Sequence, residues 1–423
     1  MIRKASILSM LIMSCGYPLS ITAQFSIDAE LRPRLEYRHG YRTIFPEDED
    51  ASALISQRTR LNTFYTTKNL ELFISLQNIR LWGDVPQLNL NDENGLALFQ
   101  AWGKFNINDD LTLKVGRQEI TYDDLRFFGT SNWVQQGRAH DAVMFRYAKN
   151  NFSLDAGLAY NQSEDGLTDN TLLTPRTYKS MQLVRAYKLF NNFSVSLLLA
   201  NIGFQFLDEN NANNNDTYYN QTIGGHFKYK RSKLMLNANI FGQIGDDATG
   251  NNLQSYFYSL LGSWEEKTTK FTLALQYLSG NEGGAPNKGR NRAFTPFFGN
   301  NHKYNGFMDY FYVGGEHINS VGLIDVNAEL CFSFSEKTKL NAALHNFSSP
   351  RAISSQASKQ LGTELDMVFI YKPLKFVDVL VGYSHMFAKE SLKILKNVDS
   401  NEVNYFLWSM ITIKPKLFSS GTE

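Results

Sequence analysis

Apolar and polar residues alternate along this chain with a period of two, over stretches of about ten residues. In the first stretch Ile27, Ala29, Leu31, Pro33, Leu35 and Tyr37 share one face, and Asp28, Glu30, Arg32, Arg34, Glu36 and Arg38 share the other. The pattern recurs. Leu70, Leu72, Ile74 and Leu76 alternate with Glu71, Phe73, Ser75 and Gln77. Leu234, Leu236, Ala238 and Ile240 alternate with Met235, Asn237, Asn239 and Phe241. Ile324 to Phe334 alternates with Asp325 to Ser333, and Leu365 to Tyr371 with Glu364 to Ile370. Each stretch predicts a β-strand with one apolar face. About eighteen of them fall between Phe25 and Lys414. One such strand would suit a soluble sandwich; their number, with little helical period between them, points to a single large sheet.

The connections come in two kinds that take turns. The short polar kind includes Thr66-Thr67-Lys68-Asn69, Asn108-Asp109-Asp110, Lys149-Asn150-Asn151, Asn191-Asn192, Arg231-Ser232, Glu265-Glu266-Lys267, Ser335-Glu336-Lys337 and Lys372-Pro373-Leu374. The long kind runs at 39–53, 83–95, 121–139, 162–177, 207–216, 245–252, 281–319, 348–358 and 389–402. Eight short turns and nine long loops predict eighteen strands with both ends on the short-turn side. Outer-membrane barrels have tight periplasmic turns, long external loops and an even strand number. Aromatic residues flank the short turns, among them Phe64, Tyr65, Phe105, Tyr147, Phe190, Phe193, Trp264, Phe271, Tyr371 and Phe376. An interfacial aromatic belt places them there. A sheet edge facing lipid would leave N–H and C=O groups unpaired at several kcal/mol each, so the sheet must close. A ring of about eighteen strands encloses an interior too wide for side chains to fill, which therefore holds water.

Composition narrows the picture further. No stretch after residue 24 is apolar for the roughly twenty residues a membrane helix needs. The formal net charge is +1 and no block of like charges stands out, so nothing points to nucleic acid. Arg3 and Lys4, the apolar run Ala5 to Cys15, and small or polar residues up to Ala23-Gln24 read as a secretory signal peptide. A rival reading makes Ser14-Cys15 a lipoprotein site. Cleavage after Ala23 leaves Cys331 alone, with no internal disulfide. The expected organisation is a signal peptide at 1–23 and a single all-β domain at 24–423. That domain is a transmembrane antiparallel β-barrel of about eighteen strands, in the outer membrane of a Gram-negative bacterium.

Several stretches resemble the alginate export family of outer-membrane barrels. The first is Val115-Gly116-Arg117-Gln118-Glu119-Ile120 followed by Tyr122-Asp123-Asp124-Leu125-Arg126. The second is Trp133-Val134-Gln135-Gln136-Gly137-Arg138 with His140-Asp141. The third is Phe294-Thr295-Pro296-Phe297-Phe298-Gly299-Asn300-Asn301-His302-Lys303 with Gly306-Phe307-Met308-Asp309, and the fourth Leu361-Gly362-Thr363-Glu364-Leu365-Asp366. Arg34, Arg58 and Arg60 on early strands also match. The resemblance implies an eighteen-stranded export porin with an Arg-rich lumen for an anionic polysaccharide such as alginate or related uronate oligomers. Two features depart from it. The inner face is mixed in sign, and Phe418 is followed by five more residues where many barrels end on an aromatic.

A polyanion crossing a pore needs cations along its path, and Arg stays charged and holds a carboxylate bidentately. Arg32, Arg34, Arg58 and Arg60 are the expected ladder, with Arg117, Arg126 and Arg138 towards the external mouth. The bland reading pairs these arginines with Glu30, Glu36, Glu119 or Asp141 as wall braces. The loop 281–319 carries Lys288, Arg290, Arg292, His302, Lys303 and Asp309 and is a candidate constriction or lid; otherwise it is an external loop facing lipopolysaccharide. The Asn-rich loop 207–216 lacks the glycine and terminal Glu of an EF-hand and reads as a polar loop rather than a calcium site. No metal or cofactor is expected.

Signatures of catalysis are lacking: no Gly-x-Ser-x-Gly, no His-Glu-x-x-His, no Cys-x-x-Cys and no P-loop. His226 and His345 read as lumen or core residues, and Asp123-Asp124 are adjacent on the chain and so point apart. Four functions are weighed: a polyanion porin, a small-solute porin, a barrel-embedded enzyme and a plugged structural barrel. The expected partners are outer-membrane lipid and lipopolysaccharide, an anionic polysaccharide or oligosaccharide, and periplasmic export proteins.

Overall fold

The computed structural model describes residues 23–88, 95–168, 170–174, 177–208 and 215–420. The signal peptide, Cys15 and most of the Asn-rich loop 207–216 lie outside the described residues. The strands in chain order are β1 (Gln24–His39), β2 (Ser52–Thr66), β3 (Leu70–Leu81), β4 (Ala97–Asn106), β5 (Leu111–Gln118), β6 (His140–Lys149) and β7 (Phe152–Tyr160). Then come β8 (Ser180–Phe190), β9 (Phe193–Phe206), β10 (Asp216–Arg231), β11 (Leu234–Asp246), β12 (Asn252–Glu266), β13 (Thr269–Leu278) and the two-residue β14 (Arg290–Asn291). The chain closes with β15 (Leu323–Ser333), β16 (Thr338–Ser348), β17 (Gln360–Leu374), β18 (Val377–Ala388), β19 (Asn404–Ile413) and β20 (Lys416–Ser419).

Each long strand pairs antiparallel with the next, β13 pairs with β15, and β19 returns to β1. Because β14 lies inside a loop and β20 prolongs β19 past Pro415, the twenty strands make eighteen staves. Closure between Leu31↔Ile413 and His39↔Tyr405 leaves the ring without a free edge. The helix α1 (Glu390–Lys396) belongs to the loop after β18. No helix among the described residues is long and apolar enough to cross a membrane.

Alternation sets the two faces. In β1, Leu31, Leu35 and Tyr37 are exposed on the outer wall while Glu30, Arg32, Arg34 and Glu36 are buried inside. In β17, Phe369 and Tyr371 face out while Glu364, Asp366 and Val368 face in. Phe105, Tyr147, Phe190, Phe193, Trp264, Phe271, Tyr371 and Phe376 are exposed beside the short turns, as a girdle requires. Phe64 departs from the expected belt. Its ring lies 4.4 Å from that of the buried Phe73, on the inner face.

The interior also departs from a water-filled tube. Two long loops, residues 119–139 and 279–322, turn into the barrel and carry an apolar core with them. Phe127 packs on Phe241 of β11 with centroids 5.1 Å apart, Phe294 on Phe257 of β12 at 5.4 Å, and Phe311 on Phe347 of β16 at 4.9 Å. The loops meet each other where Phe128 bridges to Phe298. Loop side chains thus bury, inside the ring, apolar surface that strand alternation alone does not place there.

Candidate functional site

The register of β1 against β2 sets Glu30 opposite Arg60 and Arg32 opposite Arg58. Alternation turns all four inwards with Arg34 and Glu36, giving four buried guanidinium groups and two buried carboxylates on one patch of wall. Glu30 accepts from Arg58 Nε at 2.8 Å and from Lys414 at 2.8 Å. Glu36 accepts from Arg34 Nε at 2.7 Å and from Arg38. Two positive charges remain in excess among the four arginines and two glutamates.

Buried cations need acceptors, and Asn132 to Gln136 of the first inward loop supply them. Arg32 donates to the Asn132 carbonyl at 2.7 Å, the Val134 carbonyl at 3.2 Å and Gln135 Oε1 at 2.8 Å. Arg34 donates to the Trp133 carbonyl, with its guanidinium 4.0 Å from the Trp133 ring. Arg58 donates to the Gln135 carbonyl at 3.2 Å and to Asn132 Oδ1 at 3.0 Å. Arg60 donates to the Gln136 carbonyl at 3.1 Å and lies 3.6 Å from the Phe99 ring. Each of these loop acceptors is a neutral amide oxygen.

The other limb of this loop is tied to the opposite side of the ring. Asp123 accepts from Arg185 of β8 at 2.6 Å and from Ser196 of β9 at 2.9 Å, while Asp124 accepts from Asn239 of β11 at 2.7 Å. The adjacent carboxylates therefore serve different strands. Arg126 is buried against the second loop, donating to Asn305 at 2.9 Å, and Arg138 donates to the Gly299 carbonyl at 3.1 Å. Burial pushes Arg126 down from the ordinary guanidinium range and Arg138 down to about 10. Arg117 does not join them. Even-numbered residues of β5 face inwards through Gly116, so Arg117 faces outwards and pairs with Asp141 at 2.7 Å.

The second inward loop docks on carboxylates. The Met308 and Phe307 amides donate to Glu364 at 2.7 Å and Asp366 at 3.2 Å, and Asn305 donates to Asp325 at 3.2 Å. Gly306 sits between them at φ +84°, where a Cβ would lie 2.5 Å from Glu364 Oε1. His302 Nδ1 is 2.7 Å from Asp309 Oδ1, and Asp309 also accepts from the Tyr41 hydroxyl. Lys303 is exposed within the lumen. Arg290 and Arg292 lie elsewhere, exposed at the outer end of β12 where β14 pairs with Asn252 and Leu253. Arg185, Asp325, Glu364 and Asp366 are inner-wall residues that hold the loops and that motif reasoning did not single out as a site. Their inward parity was the available signal.

Beneath the loops, towards the short turns, lies a cavity of about 580 Å³. Its walls are the inner faces of β11 to β13 and β15 to β19, and its ceiling is Trp133, His302 and Tyr304. His345 lines it, held by Asp325 at 3.0 Å, while His226 nearby contacts Asn239 at 2.9 Å. The layout lines the cavity and the inward loops with charged and amide groups.

The family model described as "Alginate export" matches residues 23–406. Among solved structures, the outer-membrane protein OprD from Pseudomonas aeruginosa has a TM-score of 0.60 at 13% identity, covering 93% of this chain and 94% of that one. Pseudomonas aeruginosa OpdK with vanillate scores 0.59 at 14% identity, covering 94% and 98%. Pseudomonas aeruginosa OccK2 (OpdF) in complex with glucuronate scores 0.58 at 13% identity, covering 93% and 98%. At these identities the likeness is one of fold. No curated protein matches the chain.

Proposed function

The chain belongs to the alginate export family and is an outer-membrane porin of a Gram-negative cell, and we propose that it passes an anionic polysaccharide such as alginate, or uronate oligomers, with residues 1–23 as its export leader. The observation that carries this reading is the wall of Arg32, Arg34, Arg58 and Arg60, with its two uncompensated positive charges. A narrow lumen with low-dielectric walls focuses such a field and concentrates anions.

The loop acceptors add a mode of action. The Asn132–Gln136 amide oxygens occupy the donors that a chain of carboxylates would use. A carboxylate can pair bidentately with a guanidinium and brings a full opposite charge, which an amide oxygen does not. A uronate polymer entering the lumen therefore displaces the segment and takes over the arginines in turn. No single site binds too tightly, because the loop competes at each. Glucuronate and vanillate, the ligands of the OccK2 and OpdK structures, are carboxylates too. The family and the fold point to transport rather than catalysis.

A porin for small solutes is the second reading. It is favoured by Asp325, Glu364 and Asp366, which make the wall bearing the second loop acidic rather than basic in composition. Planar-bilayer recordings separate the two. The polyanion channel gives anion-selective current that mannuronate oligomers interrupt. The small-solute porin conducts without such interruptions.

A further inference from the structure

We propose that the cavity beneath the inward loops is a saccharide-binding site whose amide side chains read sugar hydroxyl groups. The inference rests on the reading of the chain as a polysaccharide channel, and it assigns a role to the wall facing the arginines. In the ring of eighteen staves β11 is the ninth after β2, so the cavity wall starts across the lumen from Arg58 and Arg60 and runs round to β19, beside β1.

Four side chains that line this cavity carry a buried polar atom without a hydrogen-bond partner among the described residues. They are Asn237 Oδ1, Gln276 Oε1, Asn341 Oδ1 and Trp408 Nε1. Gln276 and Trp408 are each more than nine-tenths buried. Buried polar groups in proteins are nearly always paired, so this concentration around one cavity needs a cause. Three of the four are primary amides, each able to donate at one end and accept at the other. With one end unpartnered, nothing fixes which end faces the cavity, and each can turn to suit an incoming group.

A sugar ring matches this wall group by group. Every hydroxyl both donates and accepts, as every amide does, and the ring's C–H face is apolar. Trp133 and Tyr304 put aromatic surface at the loop end. Lys270 and the exposed Lys303 are within the same lining and would take a uronate carboxylate. The volume of about 580 Å³ falls in the span of roughly 300–1,000 Å³ common to small-ligand sites. A uronate chain presents carboxylates on some edges and hydroxyls on others, so the arginine wall and the amide wall read different parts of one polymer.

The test is single-channel recording of the refolded full barrel with a mannuronate trimer and with neutral maltotriose as probes. The site predicts resolvable interruptions with both sugars. Asn237→Ala combined with Asn341→Ala, or Gln276→Ala alone, should shorten them about tenfold, which is the loss of one to two hydrogen bonds. Heat-modifiable gel mobility confirms that each variant is folded, and the single variant serves if the double one is not. Interruptions of unchanged length in folded amide variants overturn the cavity assignment and leave the polyanion channel standing. A conducting barrel that mannuronate never interrupts overturns the polyanion reading instead; amide-dependent interruption by maltotriose would then still support the cavity.

Discussion

The Trp133 ring lies flat on that of His302, with centroids 3.9 Å apart and planes 8° from parallel. This contact joins the two inward loops, one hung from the arginine wall and the other from the carboxylate wall. His302 also stacks on Phe307 at 4.9 Å, so one imidazole spans both loops. Trp133→Ala removes the stack and the contact with Arg34, together worth about 1–2 kcal/mol. The loops stay linked through Phe128–Phe298, Arg126–Asn305 and Arg138–Gly299 but are less tightly coupled at the arginine wall. Recordings of this variant should show higher mean conductance and larger current fluctuations than wild type. An unchanged trace would mean the stack does not hold the constriction.

Glu30 is the acceptor on which the arginine patch depends. It is 2% exposed and serves both Arg58 and Lys414. Glu30→Ala leaves Arg58 buried without its carboxylate, and breaking such a pair costs about 3–5 kcal/mol. The urea midpoint of the barrel in detergent should fall markedly, and Glu30→Gln, which keeps one acceptor, should fall less. Equal midpoints for all three proteins would refute the dependence.

Gly306 is fixed by its neighbour and by its backbone. Any Cβ there meets Glu364, and φ +84° costs a non-glycine residue roughly 1–2 kcal/mol besides. Gly306→Ala should detach the second loop from Glu364 while the strands still form. The expected result is a normal heat-modifiable band with raised conductance. A normal band with wild-type conductance would show that the loop tolerates the side chain.

The second loop also carries a pH response. His317 donates from Nε2 to the Gly322 carbonyl at 2.9 Å, with Phe311 and Tyr312 edge-on to its ring and Lys396 and Glu316 as the charged groups acting on it. Burial pushes it from 6.5 down to about 4. The released loop takes up a proton below about 6.5 that the docked loop refuses until about 4. Docking is therefore at full strength above that window, weakens as pH falls through it, and is flat below it. Current fluctuations of the wild type should rise from pH 6.5 to 4. In His317→Gln, which retains a donor, this component should vanish, and an identical pH profile in the two proteins would refute it.

Strand number, the alternation of turns and loops, and the inward parity of Arg32, Arg34, Arg58 and Arg60 were legible because period-two patterning is a local property. The same rule places Arg117 outside, once Gly116 is seen to keep the parity of β5. Phe64 was misleading for a similar reason: standing beside a short turn does not say which face a ring takes, and its partner Phe73 decides it. The inward fold of residues 119–139 was not legible. Its bonds to Arg32 lie about a hundred residues away in sequence and use backbone oxygens, which every residue has. The stretches that carry the family resemblance read as separate pieces. In the structure they converge, with Arg126 on Asn305, Arg138 on Gly299 and Met308 on Glu364.

The central claim is that the arginine wall sets the selectivity of an open channel. The most direct measurement is the reversal potential of the refolded barrel in a salt gradient, for wild type and for Arg60→Gln, whose guanidinium also bonds Gln77 at 2.9 Å. The account predicts anion selectivity that is reduced in the variant, with wild-type current interrupted by mannuronate oligomers. Cation-selective current, or no current through folded barrels, would contradict it.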